Sequence, residues 1–282
     1  MKLFYKIKNL HDTLSQDRGE GFSIGFVPTM GALHEGHLAL VKQALSENHK
    51  CVCSIFVNPT QFNNPEDLKK YPRQEAEDIA LLESIGCDYL FCPSVEEMYP
   101  ENNPSKIIFD FGAIERVMEG ADRPGHFQGV ASIVKNLFEI VNPNKSYFGK
   151  KDYQQLAIIK SLASQYSLST EIVGCDIVRE NDGLAMSSRN QRLSSAQRKA
   201  APFIYSVLLA AKKLSSKMTI SELKQWVSDQ INGHDLMKLG YFEISDAESL
   251  APLLEWKKDK ATMGFIVVYM GDVRLIDNIE LN

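Results

Sequence analysis

Gly25-Phe26-Val27-Pro28-Thr29-Met30-Gly31-Ala32-Leu33-His34-Glu35-Gly36-His37-Leu38 reads as a strand, a turn and the start of a helix. The apolar run ends at Val27, Pro28 and Gly31 mark the turn, and helical spacing begins near Gly36. In a strand–loop–helix of this kind, backbone N–H groups and the positive end of the helix can hold an anion, and phosphate is the natural guest. His34 and His37, three residues apart, can face one ligand from a single turn. The zinc-protease pattern needs H-E-x-x-H, with histidines four apart, and no third ligand follows nearby, so metal ligation is not expected. An isolated H-x-x-H pair is ordinarily exposed or turn-capping. The turn glycine and helix start shift the reading here toward a nucleotide.

Working outward, short apolar runs alternate with helical patterns up to about residue 177, the signature of parallel β-α-β units. Strands are expected at 23–27, 51–57, 89–91, 146–148 and 171–177, and helices at 37–46, 73–85, 130–141 and 152–164. Val130, Ile133, Val134, Leu137, Phe138 and Val141 make one continuous apolar stripe, so the third helix belongs to the core. After the polar stretch 179–192 come helical patterns at 196–214 and 221–231, then strands at 240–244, 263–270 and 273–276. The expected fold is α/β: a Rossmann-like parallel sheet in an N-terminal domain (1–177), and a smaller α+β domain (178–282). The chain has no internal repeat, heptad array or low-complexity segment.

Composition narrows the function. With 44% hydrophobic residues in 282, the chain can bury an ordinary globular core, which excludes whole-chain disorder. No apolar stretch approaches the roughly 18 residues of a membrane span, and Met1-Lys2-Leu3-Phe4-Tyr5-Lys6-Ile7-Lys8 interrupts the apolar core a signal peptide needs, so a cytoplasmic protein without membrane partners is expected. A net charge of −5 supplies no basic field for nucleic acid, so no nucleic-acid partner is expected. Cys51, Cys53, Cys87, Cys92 and Cys175 form no C-x-x-C pair and read as buried, reduced thiols.

Two further segments carry polar chemistry. In Tyr147-Phe148-Gly149-Lys150-Lys151-Asp152-Tyr153-Gln154-Gln155 the lysines follow a strand's carboxyl end, where doubly wound sheets bind ligands. They could pin phosphate charge or be solvated loop lysines. Val178-Arg179-Glu180-Asn181-Asp182-Gly183-Leu184-Ala185-Met186-Ser187-Ser188-Arg189-Asn190 contains hydroxyls and a guanidinium suited to phosphate oxygens, and by itself is a polar linker.

Several strings then fall in one order: 28–37, Ser54-Ile55-Phe56-Val57-Asn58-Pro59-Thr60-Gln61-Phe62, Tyr71-Pro72-Arg73, Arg123-Pro124-Gly125-His126-Phe127-Gln128-Gly129-Val130, 148–155, Met186-Ser187-Ser188-Arg189-Asn190 and Gly271-Asp272-Val273-Arg274-Leu275-Ile276-Asp277-Asn278. Together they resemble the pantoate–β-alanine ligase (pantothenate synthetase) family. His34-Glu35-Gly36-His37 is similar to the H-I-G-H-like element of the wider nucleotidyltransferase superfamily, and 185–189 to its K-M-S-K-S-like element.

The resemblance implies an ATP-dependent ligase of pantothenate and coenzyme A biosynthesis. Pantoate attacks the α-phosphorus of ATP·Mg²⁺ to give pantoyl adenylate and pyrophosphate, and β-alanine then displaces AMP. It implies a homodimer with pantoate, β-alanine and ATP as its small-molecule partners. Carried over residue by residue, it makes His37, His34 and Lys151 catalytic. ATP would lie on Pro28, Thr29, Met30, Gly31, His34, His37, Gly149, Lys151, Asp152, Val178, Met186, Ser187, Ser188 and Arg189. Gln61, Gln155, Asn58 and Arg123 would take pantoate and β-alanine, Arg123 facing either carboxylate or pyrophosphate charge; Phe56 and Phe62 are candidate walls for the gem-dimethyl group, Phe56 being equally a core residue.

Adenylation builds charge on phosphate, so such a site needs fixed donors and cations rather than a covalent nucleophile. The 30–37 loop is expected to supply amides and imidazole donors. Because the K-M-S-K-S-like string lacks lysine, Lys151 is the expected positive charge. The stretch 62–70 is expected as a polar loop able to close over the adenylate and exclude water. Tyr71 and Arg73 have open roles, which include merely packing or pairing that loop. His126 could simply cap a turn, and Lys150, whose role stays open, stands where some members of that family carry glutamate. The competing readings are another adenylyltransferase of the superfamily or a nucleotide-binding regulator without catalysis. β-Alanine-dependent AMP formation separates them.

Overall fold

The computed structural model describes residues 1–100 and 107–282, which form two compact units. The first comprises Met1–Phe111, Arg123–Lys150 and Gln155–Asp176, and the second comprises Gly112–Asp122, Lys151–Gln154 and Ile177–Asn282.

Six parallel strands build the first unit: β1 (Lys2–Phe4), β2 (Ile24–Thr29), β3 (Lys50–Ile55), β4 (Tyr89–Phe91), β5 (Lys145–Gly149) and β6 (Glu171–Cys175), in the order β1-β4-β3-β2-β5-β6. Helices α1 (Ile7–Gly19), α2 (Glu35–Glu47), α3 (Pro65–Lys70), α4 (Glu75–Ser84) and α5 (Val95–Met98) lie along its first half in sequence. Later in the chain come α6 (Met118–Asp122), which belongs wholly to the second unit, α7 (His126–Val141), wholly in the first, and α8 (Tyr153–Gln165), whose first two residues count with the second. The chain builds outward from β2 through β3 to β4, then returns to place β5 on the other side of β2. That reversal is the switch point at which open α/β sheets bind ligands. Strand β2 pairs with β3 along its whole length but with β5 only at Gly25 and Phe26, so the two strands part just before Pro28. Helix α7 buries the predicted stripe, and its Phe138 meets Phe26 edge-on at 6.4 Å.

The second unit holds α9 (Ser195–Ala200), α10 (Phe203–Leu214), α11 (Ile220–Asn232) and an antiparallel sheet of β7 (Lys238–Asp246), β8 (Thr262–Met270) and β9 (Val273–Glu280), with β8 central. Ile204, Val207, Leu208 and Ala211 of α10 and Leu223, Val227 and Ile231 of α11 pack into one core with Ile266, Val268 and Met270 of β8.

The parallel sheet and the smaller α+β unit match the expected fold class, with these differences. Strand β1 and helix α1 were not foreseen. The pattern at 196–214 is two helices, because Pro202 cannot continue the first. The stretch 62–70 contains α3, whose Asn64 accepts from Glu66 N and whose Pro65 takes the first helical position. The last strand extends to Glu280. A single division at 177/178 also omits two excursions of the second unit. Gly112–Asp122 is tied there because Tyr241 donates to Glu119 (2.8 Å) and Arg274 donates to both Glu119 (3.0 Å) and Asp122 (2.8 Å). Gln154 clasps the same segment, donating to the carbonyls of Ile114 and Val117 and accepting from Glu119 N.

Candidate active site

At the end of β2, Thr29 Oγ1 donates to the Ser54 carbonyl (2.7 Å) and accepts from Gly31 N (3.2 Å). Gly31 and Ala32 turn the chain with φ of 78° and 50°, and glycine meets the first requirement without strain. The buried carboxylate of Asp78, on α4, accepts from Ala32 N at 2.8 Å and Leu33 N at 2.7 Å. Burial raises the Asp78 pKa, and the two amide bonds work against that rise.

His34 is the N-cap of α2. Its Nδ1 accepts from Gly36 N at 3.1 Å, and His37 Nδ1 accepts in turn from His34 N at 3.3 Å, a reciprocal cap made of two imidazoles whose centroids lie 4.1 Å apart. Since each Nδ1 accepts, each ring carries its proton on Nε2, so both present an N–H donor on the edge away from the backbone. The expectation that 30–37 supplies many loop amides needs correction: those of Gly31, Ala32, Leu33, His34 and Gly36 are engaged within the protein.

A second group adjoins it in the same unit. Gln61 ends a short 3-10 turn, Pro59–Gln61, and its Nε2 donates to Met30 Sδ at 2.8 Å, which links it to the β2 loop. Asn58, fully buried, donates to Gly129 O (3.1 Å) and Gln61 Oε1 (3.3 Å), and its Oδ1 accepts from Tyr99 OH (2.8 Å) and Thr60 Oγ1 (3.0 Å). Phe56 is buried against Tyr99, and Phe62 meets the buried Tyr71 edge-on at 5.7 Å. Arg73 reaches the Leu68 carbonyl of α3. Arg123 donates to His126 Nε2 at 3.1 Å. His126 is not a cap: Gly125 is the N-cap of α7, and the His126 ring is buried. Gln155 stands half-buried on α8, next to Gln154, whose amide is consumed by the clasp. Gly149 ends β5. Lys150 pairs with Asp176 at 2.6 Å, an exposed pair worth little, and this accounts for a lysine whose role was open.

The remaining predicted residues lie in the second unit. Lys151 and Asp152 belong to a 3-10 turn, with Lys151 Nζ 4.0 Å from Asp152 Oδ2, and the Lys151 carbonyl accepts from Asn278 of β9 (2.9 Å). Residues 179–185 form a tight loop closed by an Arg179–Ala185 bridge, after which Met186 N donates to Val178 O at 3.0 Å. Ser187 caps the 3-10 turn Ser188–Arg192 by accepting from Arg189 N. Arg179 makes a bidentate pair with buried Asp277 of β9 (2.6 and 2.9 Å), and its guanidinium stacks 3.6 Å from the Tyr205 centroid. Adjacent residues of β9, Asp277 and Asn278, thus fix the loop ahead of Ser187–Arg189 and the turn bearing Lys151.

Sequence reasoning missed Asp78, Arg179, Asp277 and Asn278 as supports. The last three stood in quoted strings without a role. Among the described residues no group of three or more His, Cys, Asp or Glu could hold a metal ion, and no helix is long and apolar enough to cross a membrane.

Comparison with known proteins follows the same lines. The profile described as Pantoate-beta-alanine ligase matches residues 2–280. A pantothenate synthetase of Bacteroides fragilis (strain YCH46) is 50% identical over 280 residues, covering 99% of each chain. That of Christiangramia forsetii is 48% identical over 283 residues, covering 100% of each. The crystal structure of pantothenate synthetase from Thermus thermophilus superposes with a TM-score of 0.92 at 41% identity, over 100% of this chain and 99% of that one. The pantoate-beta-alanine ligase from Francisella tularensis, complexed with beta-gamma ATP and beta-alanine, gives 0.83 at 38% identity, over 100% and 98%.

Proposed function

The chain belongs to the pantoate–β-alanine ligase family, and from that premise we propose that it condenses pantoate with β-alanine to pantothenate, using ATP and releasing AMP and pyrophosphate. In the first half-reaction a pantoate carboxylate oxygen attacks the α-phosphorus, and the bond from α-phosphorus to the bridging oxygen of pyrophosphate breaks. In the second, the β-alanine amine attacks the pantoyl carbonyl carbon, the C–O bond to AMP breaks, and the amine loses its proton.

The observation that carries this reading is the imidazole pair, because both Nδ1 atoms are committed to the α2 cap and both rings present Nε2–H donors. Such donors suit charge developing on transferred phosphate. His34 and His37 then act on the triphosphate with Pro28, Thr29, Met30, Gly31 and Gly149. Lys151, Asp152, Val178, Met186, Ser187, Ser188 and Arg189 act on the same nucleotide from the second unit's sequence. Asn58, Gln61, Gln155 and Arg123 take the two acids, Gln61 using an amide that both donates and accepts. Mg²⁺ enters as part of the ATP substrate, held mainly by phosphate oxygens and water. The same reading carries a cytoplasmic homodimer.

The test is AMP formation by the purified protein with ATP, pantoate and β-alanine. The reading predicts AMP only when both acids are present. AMP formation indifferent to pantoate, or none under any combination, would refute it.

A further inference from the structure

His126 lies outside the residues assigned above, and its ring bridges two that are assigned. Its Nδ1 is 2.8 Å from the Gln61 carbonyl and its Nε2 is 3.1 Å from Arg123 Nη1. A carbonyl only accepts and a guanidinium only donates, so Nδ1 carries the proton and Nε2 accepts: a single tautomer, opposite to that of His34 and His37. The ring is 6% exposed, so neither bond can be exchanged for water without loss.

The first turn of α7 holds the Gln61 turn at two further points. Asn58 Nδ2 donates to the Gly129 carbonyl. A Cβ on Gly129 would come within 2.4 Å of Thr60 O and 2.7 Å of Gln61 Cα, so only glycine permits this approach. Gln61 is therefore aimed by α7, and His126 is the side chain that extends the hold to Arg123.

We propose that His126 is a positioning residue for pantoate: it fixes the main chain of Gln61 from one ring nitrogen and orients the Arg123 guanidinium from the other. The proposal rests on the pantoate-ligase reading. If wild-type protein makes no β-alanine-dependent AMP, that reading fails. If wild type is active, the variants judge His126 alone.

The experiment measures KM for pantoate and for ATP in wild type, His126→Ala, His126→Asn and His126→Gln, with the thermal midpoint of each. Losing the two buried bonds in His126→Ala should raise the pantoate KM by roughly tenfold and leave the ATP KM within about twofold. His126→Asn keeps a donor near the Nδ1 position and should recover most of the pantoate KM, whereas His126→Gln, reaching only toward Arg123, should recover less. A scaffolding role would lower the thermal midpoint without this split. An unchanged pantoate KM in His126→Ala, both KM values rising together, or asparagine doing no better than alanine would overturn the proposal. Should His126→Ala not fold, the other two decide: asparagine must lie nearer wild type than glutamine, and equality or the reverse order overturns it.

Discussion

Replacing Asp78 by asparagine tests whether the imidazole pair depends on the turn before it. The Asp78 carboxylate accepts from Ala32 N and Leu33 N at 2.8 and 2.7 Å. Hydrogen bonds to a charged group contribute about 1.5–3 kcal/mol each. Asparagine keeps one acceptor and turns an NH₂ group toward the other amide, so the turn loses about one such bond. Removing the charge also relieves the burial that raises the Asp78 pKa, so global stability should fall by less than the local loss. If the loss appears as misplacement of His34 and His37, adenylate formation should slow by roughly 10- to 100-fold, at about 1.4 kcal/mol per decade. The assay is pantoate-dependent pyrophosphate release at saturating ATP and pantoate, with the thermal midpoint measured alongside. A rate within about threefold of wild type, in a protein folded to the same degree, would refute the claim that Asp78 sets the loop.

Asp277→Asn leaves half-buried Arg179 without its charged partner, and since breaking a fully buried pair costs about 3–5 kcal/mol, this one should cost somewhat less and the thermal midpoint should drop; an unchanged midpoint contradicts the role given to β9. Asp246 accepts from Ser249 N (2.8 Å) and Ser249 Oγ (2.7 Å) and pairs with Lys260 at 3.3 Å, and these contacts hold its carboxyl far below the usual range. A carboxyl depressed in the folded state stabilises fully above its unfolded pKa, about 3.9, and loses that contribution as pH falls below it. The midpoint difference between wild type and Asp246→Asn should accordingly narrow from pH 6 to pH 3, and a constant difference would count against the assignment. All five cysteines are buried, and burial pushes Cys92 up to about 12 and Cys175 to about 11. Native protein at pH 8 should leave a thiol-exchange reagent unconsumed over minutes and react fully on denaturation, and a fast native thiol would contradict this packing.

Five strands of the parallel sheet were legible because parallel strands covered on both faces read as continuous apolar runs. Strand β1 escaped because Lys2-Leu3-Phe4 is an edge strand set among lysines, whereas the equally short β4 is the wholly apolar Tyr89-Leu90-Phe91. Helix α1 buries only Leu10, Leu14 and Asp17, a stripe too narrow to stand out. His34, His37, Lys151 and Ser187-Ser188-Arg189 could be proposed from sequence because their chemistry sits in local strings. Their supports could not, since Asp78 acts on residues 45 and 46 positions away, His126 on one 65 away and Asp277 on one 98 away. The sequence states which side chains are present, and only the fold states which amides and carbonyls they occupy. For the same reason the loop amides, expected to hold phosphate, proved to be engaged already.

The adenylate pathway makes the carboxylate oxygen of pantoate the new ligand of the α-phosphorus, and that oxygen stays on phosphorus when the C–O bond breaks. Pantoate labelled with ¹⁸O in its carboxylate, turned over with ATP and β-alanine, should therefore yield AMP bearing one ¹⁸O atom. Pantothenate formed alongside unlabelled AMP would contradict the account at its centre.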